Sequence, residues 1–121
     1  MEAWAHLDKA REFLAAARSA LDAGWPNAAA SSAVTAGINA KDALCIAKAG
    51  RTIAADDHTA AVAELRSLGP MGGEPANALD RLLGFKNRSQ YDRRSICATD
   101  AQSAVRRATT LVQAAERALA S

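Results

Sequence analysis

Leu7, Leu14 and Leu21 recur every seven residues, and Ala3, Ala10 and Ala17 stand four residues ahead of each. The charged residues Asp8, Lys9, Arg11, Glu12 and Arg18 fall off this seam, as the solvent side of an amphipathic helix requires. A first helix is therefore predicted over about Glu2–Ala23. Gly24 ends it, and Pro26 suits the first turn of a second helix.

That second helix is predicted over Pro26–Ala49, with Ala30, Ala33, Gly37, Ala40, Leu44 and Ala47 as its seam and Val34 and Ile38 alongside. Gly37 costs about 1 kcal/mol relative to alanine in a helix interior. Its place between Ala33 and Ala40 points to close helix contact rather than a break. Gly50 is a good C-terminal stop.

A shorter helix follows, capped by Asp56 or Asp57 and carrying Ala61, Leu65 and Leu68, with Gly69-Pro70 to end it. Met71-Gly72-Gly73 reads as the loop between halves. Glu74-Pro75 opens a further helix with Ala78, Leu79, Leu82 and Leu83, which fades near Gly84 or continues to about Gln90. Thr99 and Gln102 form a capping box for the last helix. Ala101, Ala104, Ala108, Leu111, Ala115 and Leu119 line one of its faces, widened by Val105 and Val112. No segment alternates as a strand does. The expected fold is all-α: one domain over residues 1–121, an up-and-down bundle of four main helices plus one short helix.

Composition adds one feature to this outline. Half of the 121 residues are apolar but only 4% are aromatic, and alanine supplies much of the apolar share. Alanine makes good helices with thin sides, so helices approach closely while each contact buries little area. Such a core is often completed by a second copy, and a homodimer is expected.

The net charge of +2 conceals an uneven distribution. Residues 1–80 hold seven Lys/Arg against ten Asp/Glu, whereas residues 81–121 hold eight against three. The basic C-terminal part is either ordinary surface scatter or a face for phosphate or an acidic partner.

Cys45 and Cys97 lie in unrelated segments, without a Cys-x-x-Cys pair or a histidine spacing that suggests metal. They read as a buried helical thiol and a loop thiol in a reducing compartment. No metal and no cofactor are expected. The acidic Glu2 and Asp8 are unlike a signal peptide, and no apolar run approaches a membrane span. A cytoplasmic protein is expected. His6 and His58 lack spaced partners and read as surface or cap-adjacent residues; Trp4 and Trp25, at helix ends, read as packing residues.

The chemically pointed segment is Lys86-Asn87-Arg88-Ser89-Gln90-Tyr91-Asp92-Arg93-Arg94. Four cations, an aromatic ring and several hydrogen-bonding groups suit a polyanion. Guanidinium groups clamp phosphates, and Tyr91 can stack on a base or donate its hydroxyl. The plainer reading is a solvated helix end whose cations complement the helix dipole.

Three stretches resemble the HEPN family, the higher-eukaryote and prokaryote nucleotide-binding domains. One is the opening helix with Ala10, Phe13 and Leu14. The second is Ser32-x-x-x-Ala36-x-x-Asn39-Ala40-x-Asp42-Ala43-Leu44. The third is Asp57-His58 followed by Leu82-Leu83-x-x-Lys86-x-x-x-x-Tyr91. Together they span most of the chain.

Ribonucleases of that family carry an Arg and, four to six residues on, a His, and cleave RNA without metal as dimers. The His handles protons and the Arg holds the scissile phosphate. In this chain the resemblance puts Lys86 at the Arg position and Tyr91 at the His position. Counting from Arg88 instead puts Asp92, Arg93 or Arg94 there, and neither register supplies a histidine. Lysine holds phosphate only as a point charge, and tyrosine, with a pKa of about 10, is a poor base at neutral pH.

The resemblance therefore implies a component of a toxin–antitoxin or defence module that binds a nucleotidyltransferase-like partner, RNA or a nucleotide. Lys86, Asn87, Arg88, Tyr91, Arg93 and Arg94 would form the binding face. Asn39 and Asp42, three apart on the second helix, either orient Lys86 or Arg88, or are surface polarity or a buried tie between helices. One alternative is a metal-independent ribonuclease using Lys86, Arg88 and Tyr91 in altered roles; another is a structural dimerisation bundle.

Overall fold

The computed structural model describes residues 2–52, 57–91 and 96–120, and for residues 87–91 the backbone alone. The chain forms α1 (Glu2–Asp22), α2 (Pro26–Ala49), the short α3 (His58–Arg66), a 3-10 turn (Pro70–Gly72), α4 (Gly73–Tyr91) and α5 (Ala98–Ala120). The fold is all-α, with no strand among the described residues.

The heptad seam of α1 is its buried face: Ala3, Leu7, Ala10, Leu14, Ala17 and Ala20 all point inward. Gly24, at φ +80°, ends the helix. Its amide donates to the Leu21 carbonyl at 3.1 Å, and the Trp25 amide donates to the Ala20 carbonyl at 2.9 Å. This is the paired closure that a left-handed residue permits at a helix end. Pro26 then sits in the first turn of α2, where its missing N–H costs nothing.

The ends of the later elements differ in detail from expectation. Asp57, not Asp56, caps α3, its carboxylate accepting from the Thr59 amide at 2.9 Å. Of the two ends expected for α4 the further one holds, and the helix continues through Tyr91. Helix α5 starts at Ala98, so Thr99 lies inside the first turn and is not its cap; the Cys97 carbonyl accepts from the Ala101 amide at 3.0 Å.

Contacts between helices set their directions. Arg11 of α1 pairs with Glu116 of α5 at 2.8 Å, and Arg18 donates to Thr109 at 3.2 Å, so these helices run antiparallel. Gly37 of α2 faces Leu82 of α4, while Leu44 shares a groove with Pro75, so these two are antiparallel as well. Helix α2 is in contact with α1, α4 and α5.

The interior is mostly alanine. Leu7, Leu44, Leu65, Leu79, Leu82 and Leu111 are its largest fully buried apolar side chains. Gly37 lies where the thin helices come closest: a Cβ there would overlap Leu82 Cδ2 and stand 3.2 Å from Leu111 Cδ1. The tryptophans do not pack as expected. Trp4 is 48% and Trp25 65% exposed.

Candidate functional site

Two groups of polar residues stand out from this alanine scaffold. The first surrounds Lys41. Counting helical turns from Gly37 and Leu44 puts Lys41 on the inward face of α2, and its side chain is 2% exposed. A buried ammonium must be paired and hydrogen-bonded, or its desolvation cost goes uncompensated. Its Nζ donates to Asp42 Oδ1 at 3.1 Å and to Thr52 Oγ1 at 3.0 Å, and it pairs with the Glu64 carboxylate. Three donors thus meet three acceptors, from α2, the segment after it and α3. The Thr52 hydroxyl donates in turn to Asp42 Oδ1 at 2.8 Å.

Burial works against the charge on Lys41, but the hydrogen bonds it donates to Glu64 and Asp42, with the charges of those carboxylates, outweigh it and raise its pKa above the ordinary lysine value. Cys45, one turn further along α2, is fully buried. Burial first, and the Glu64 charge second, push its thiol up to about 12. Neither group is available as a base or nucleophile at neutral pH: the ammonium keeps its protons engaged and the thiol stays protonated. The cluster is a tie between elements.

Asn39 and Asp42 belong to this tie. Asn39 Nδ2 donates to the Thr35 carbonyl at 2.9 Å, and its Oδ1 lies 3.3 Å from His6 Nδ1. Asp42 Oδ2 lies 3.9 Å from the same His6 nitrogen. Both residues therefore face His6 of α1, and Asp42 also faces the Lys41 cluster. Leu82 lies opposite Gly37, so in antiparallel helices Lys86 is displaced from Asp42 by about 13 Å along the bundle axis. The contacts of Asn39 and Asp42 are those of a tie between helices. His6, expected as a surface residue, joins α1 to this tie.

The second group is the basic segment. Helix α4 carries Lys86, half-buried, and continues through Asn87, Arg88 and Tyr91. Arg93 and Arg94 lie outside the described residues, as do the side chains of Asn87, Arg88 and Tyr91. The chain re-enters at Ile96, which is buried and whose amide donates to Asn27 Oδ1 at 3.0 Å. Ile96 is thus tied to the start of α2, at the opposite end of α2 from the Lys41 tie.

Lys41, Thr52 and Glu64 were not singled out by sequence. The available signal was a lysine on the inward register of α2, between Gly37 and Leu44. Among the described residues no cluster of histidine, cysteine or carboxylate side chains could hold a metal ion. No described helix is long and apolar enough to cross a membrane. Comparison with protein-family models finds none that matches the chain, and comparison with curated proteins finds no significant relative.

Proposed function

We propose that this chain is a HEPN-like binding component of a toxin–antitoxin or defence module, taking RNA or a nucleotide on the Lys86–Arg94 segment. The observation that carries this reading is the continuation of α4 through Tyr91. The helix gives the backbone of residues 86–91 a regular form, where an unstructured end would lose binding energy to ordering. Helix α4 is itself anchored by Leu82 against Gly37, and Asn27 ties the returning chain. The resemblance of the sequence to HEPN proteins adds a nucleotidyltransferase-like protein as the expected partner and a homodimer as the expected state.

A non-catalytic role follows from the residue types. Neither Lys86 nor Tyr91 replaces the missing histidine as a proton carrier at neutral pH, and His6 is engaged with Asn39.

The test is a fluorescence-anisotropy titration with tRNA and single-stranded RNA across a range of salt concentrations. Expected are binding that weakens as salt rises and a Lys86→Ala, Arg88→Ala variant with lower affinity and a shallower salt slope. Unchanged affinity and slope in the variant would overturn the reading. RNA cleavage that disappears in a Lys86→Ala, Tyr91→Phe variant would make the protein a ribonuclease instead.

A further inference from the structure

The excess of cations in residues 81–121 is not confined to the Lys86–Arg94 segment; Arg106 and Arg117 carry it onto α5. Apart from alanines at its two ends, the exposed residues of α5 are Thr99, Gln102, Arg106, Gln113 and Arg117. At about 100° per residue these five fall within about 60° of one another, so they form one straight row about 27 Å long. The row holds no carboxylate and no aromatic ring. The exposed faces of α1 and α4 are different. Helix α1 sets Glu2, Asp8, Glu12 and Asp22 among its cations, and α4 sets Glu74 and Asp80 beside Arg81.

A further cation flanks the row. Arg18 of α1 donates from Nη2 to Thr109 Oγ1 at 3.2 Å, which places its guanidinium against α5 one turn beyond Arg106. That acceptor is neutral, its own hydroxyl donating to the Val105 carbonyl at 2.8 Å. Among the described residues no carboxylate lies within ion-pair distance of Arg18, Arg106 or Arg117. Glu116, next to the row, is held by Arg11 at 2.8 Å. Asp22, one turn beyond Arg18, and Glu74, across a groove from Arg117, border the row without pairing with it.

We propose that this face of α5 is a docking surface for the phosphodiester backbone of double-stranded RNA. Arginines set along a line and not neutralised suit a ligand whose negative charges also run along a line. Arginine, glutamine and threonine are side chains that contact phosphate and sugar, and the glutamine amides can exchange hydrogen bonds with 2′-hydroxyls in the shallow minor groove. A single strand is held by stacking its bases on aromatic rings, and the row offers none. A duplex, whose bases are already stacked, needs only backbone contacts. An acidic protein would want an apolar or aromatic anchor at the centre of the interface, which the row also lacks.

Helix α5 begins at Ala98, just after the tied Ile96, so the row starts beside the chain that leaves the basic segment. The choice of RNA over DNA rests on the function proposed above; the choice of a duplex backbone does not.

The test is an anisotropy titration of the full chain, over a range of salt concentrations, with a blunt RNA duplex, a DNA duplex of the same sequence and an oligouridylate. The variant Arg106→Gln, Arg117→Gln is compared with wild type and with Arg106→Lys, Arg117→Lys. A third variant, Lys9→Gln, Arg51→Gln, removes the same charge from exposed positions elsewhere. Thermal melts check that each variant is folded.

On the RNA duplex, the slope of log affinity against log salt should fall by about two in the glutamine variant. It should stay near the wild-type value in the lysine variant and in the charge-matched one. Oligouridylate binding should be unchanged by the glutamine variant, and the RNA duplex should bind more tightly than the DNA duplex. A wild-type slope in the glutamine variant, or an equal fall in the charge-matched one, overturns the docking surface, even if Lys86→Ala, Arg88→Ala weakens oligouridylate binding. An equal fall on oligouridylate overturns the duplex as its ligand, and equal affinity for both duplexes overturns RNA. The expected fall, together with no effect of Lys86→Ala, Arg88→Ala on either RNA, retains this surface and removes the proposed role of the basic segment.

Discussion

Lys41 of α2 and Glu64 of α3 form an ion pair inside the bundle, and Asp42 and Thr52 complete the coordination of the ammonium. A buried pair of this kind contributes little relative to a well-packed apolar substitute, but breaking it from one side is costly. Lys41→Met leaves Asp42 and Glu64 facing one another without a cation. The expected loss is about 3–5 kcal/mol in urea-denaturation stability. Adding Glu64→Gln to Lys41→Met should recover part of that loss. A single variant as stable as wild type would mean that the tie is not holding α3 in place.

Alkaline pH should destabilise the fold through the same cluster. Cys45 and Lys41 both have folded pKa values above their unfolded ones. The folded state therefore keeps protons that the unfolded chain releases, and stability falls as pH rises. For Cys45 the window opens near its ordinary value of 9.0 and extends to about 12. For Lys41 it opens above 10.5. Melting temperatures measured from pH 7 to 11 should decline from about pH 9, and Cys45→Ala should delay the onset.

The two thiols should separate cleanly in a labelling experiment. Cys97 is exposed whereas Cys45 is buried and strongly disfavoured as a thiolate. A thiol-specific chromogenic reagent at pH 8 should modify one group quickly, and Cys97→Ser should abolish that phase. Cys45 should react only at the rate at which the fold opens. Two equally fast phases would show that α2 and α3 part readily in solution.

Two glycines make a comparative test of close packing. A Cβ at Gly37 meets the end of the Leu82 side chain, which can rotate away. A Cβ at Gly72 meets the Leu65 carbonyl, which belongs to the backbone of α3. Gly37→Ala should cost about 1–3 kcal/mol from overpacking, partly offset by the better helix propensity of alanine. Gly72→Ala should cost more, because α3 or the 3-10 turn must move. Thermal denaturation of both variants ranks them.

The helices were legible because their signals are local. The heptad of Leu7, Leu14 and Leu21, the stops at Gly24 and Gly50, and Pro26 at the start of α2 each report on residues within a turn or two. The start of α5 was less so: Thr99 and Gln102 fit a capping pattern, yet the helix begins at Ala98. The tie around Lys41 was legible only in part. Asn39 and Asp42 stood out as polar residues on one side of α2, but Thr52 and Glu64 reach Lys41 through the turn of the chain after α2. Such pairings depend on how elements dock, which no local pattern encodes.

The hydrogen bond between Ile96 and Asn27 has an optical consequence. It ties the chain leaving the basic segment to the first turn of α2, directly beside the exposed indole of Trp25. The other indole, Trp4, is on α1 near its start, at the far end of the bundle. A strand settling on the proposed segment should change the emission of Trp25 and leave that of Trp4 unchanged. The protein thus carries an intrinsic fluorophore at the end where binding is proposed and a second one, remote from it, as an internal reference. Trp25→Phe and Trp4→Phe would separate the two emissions without any attached label.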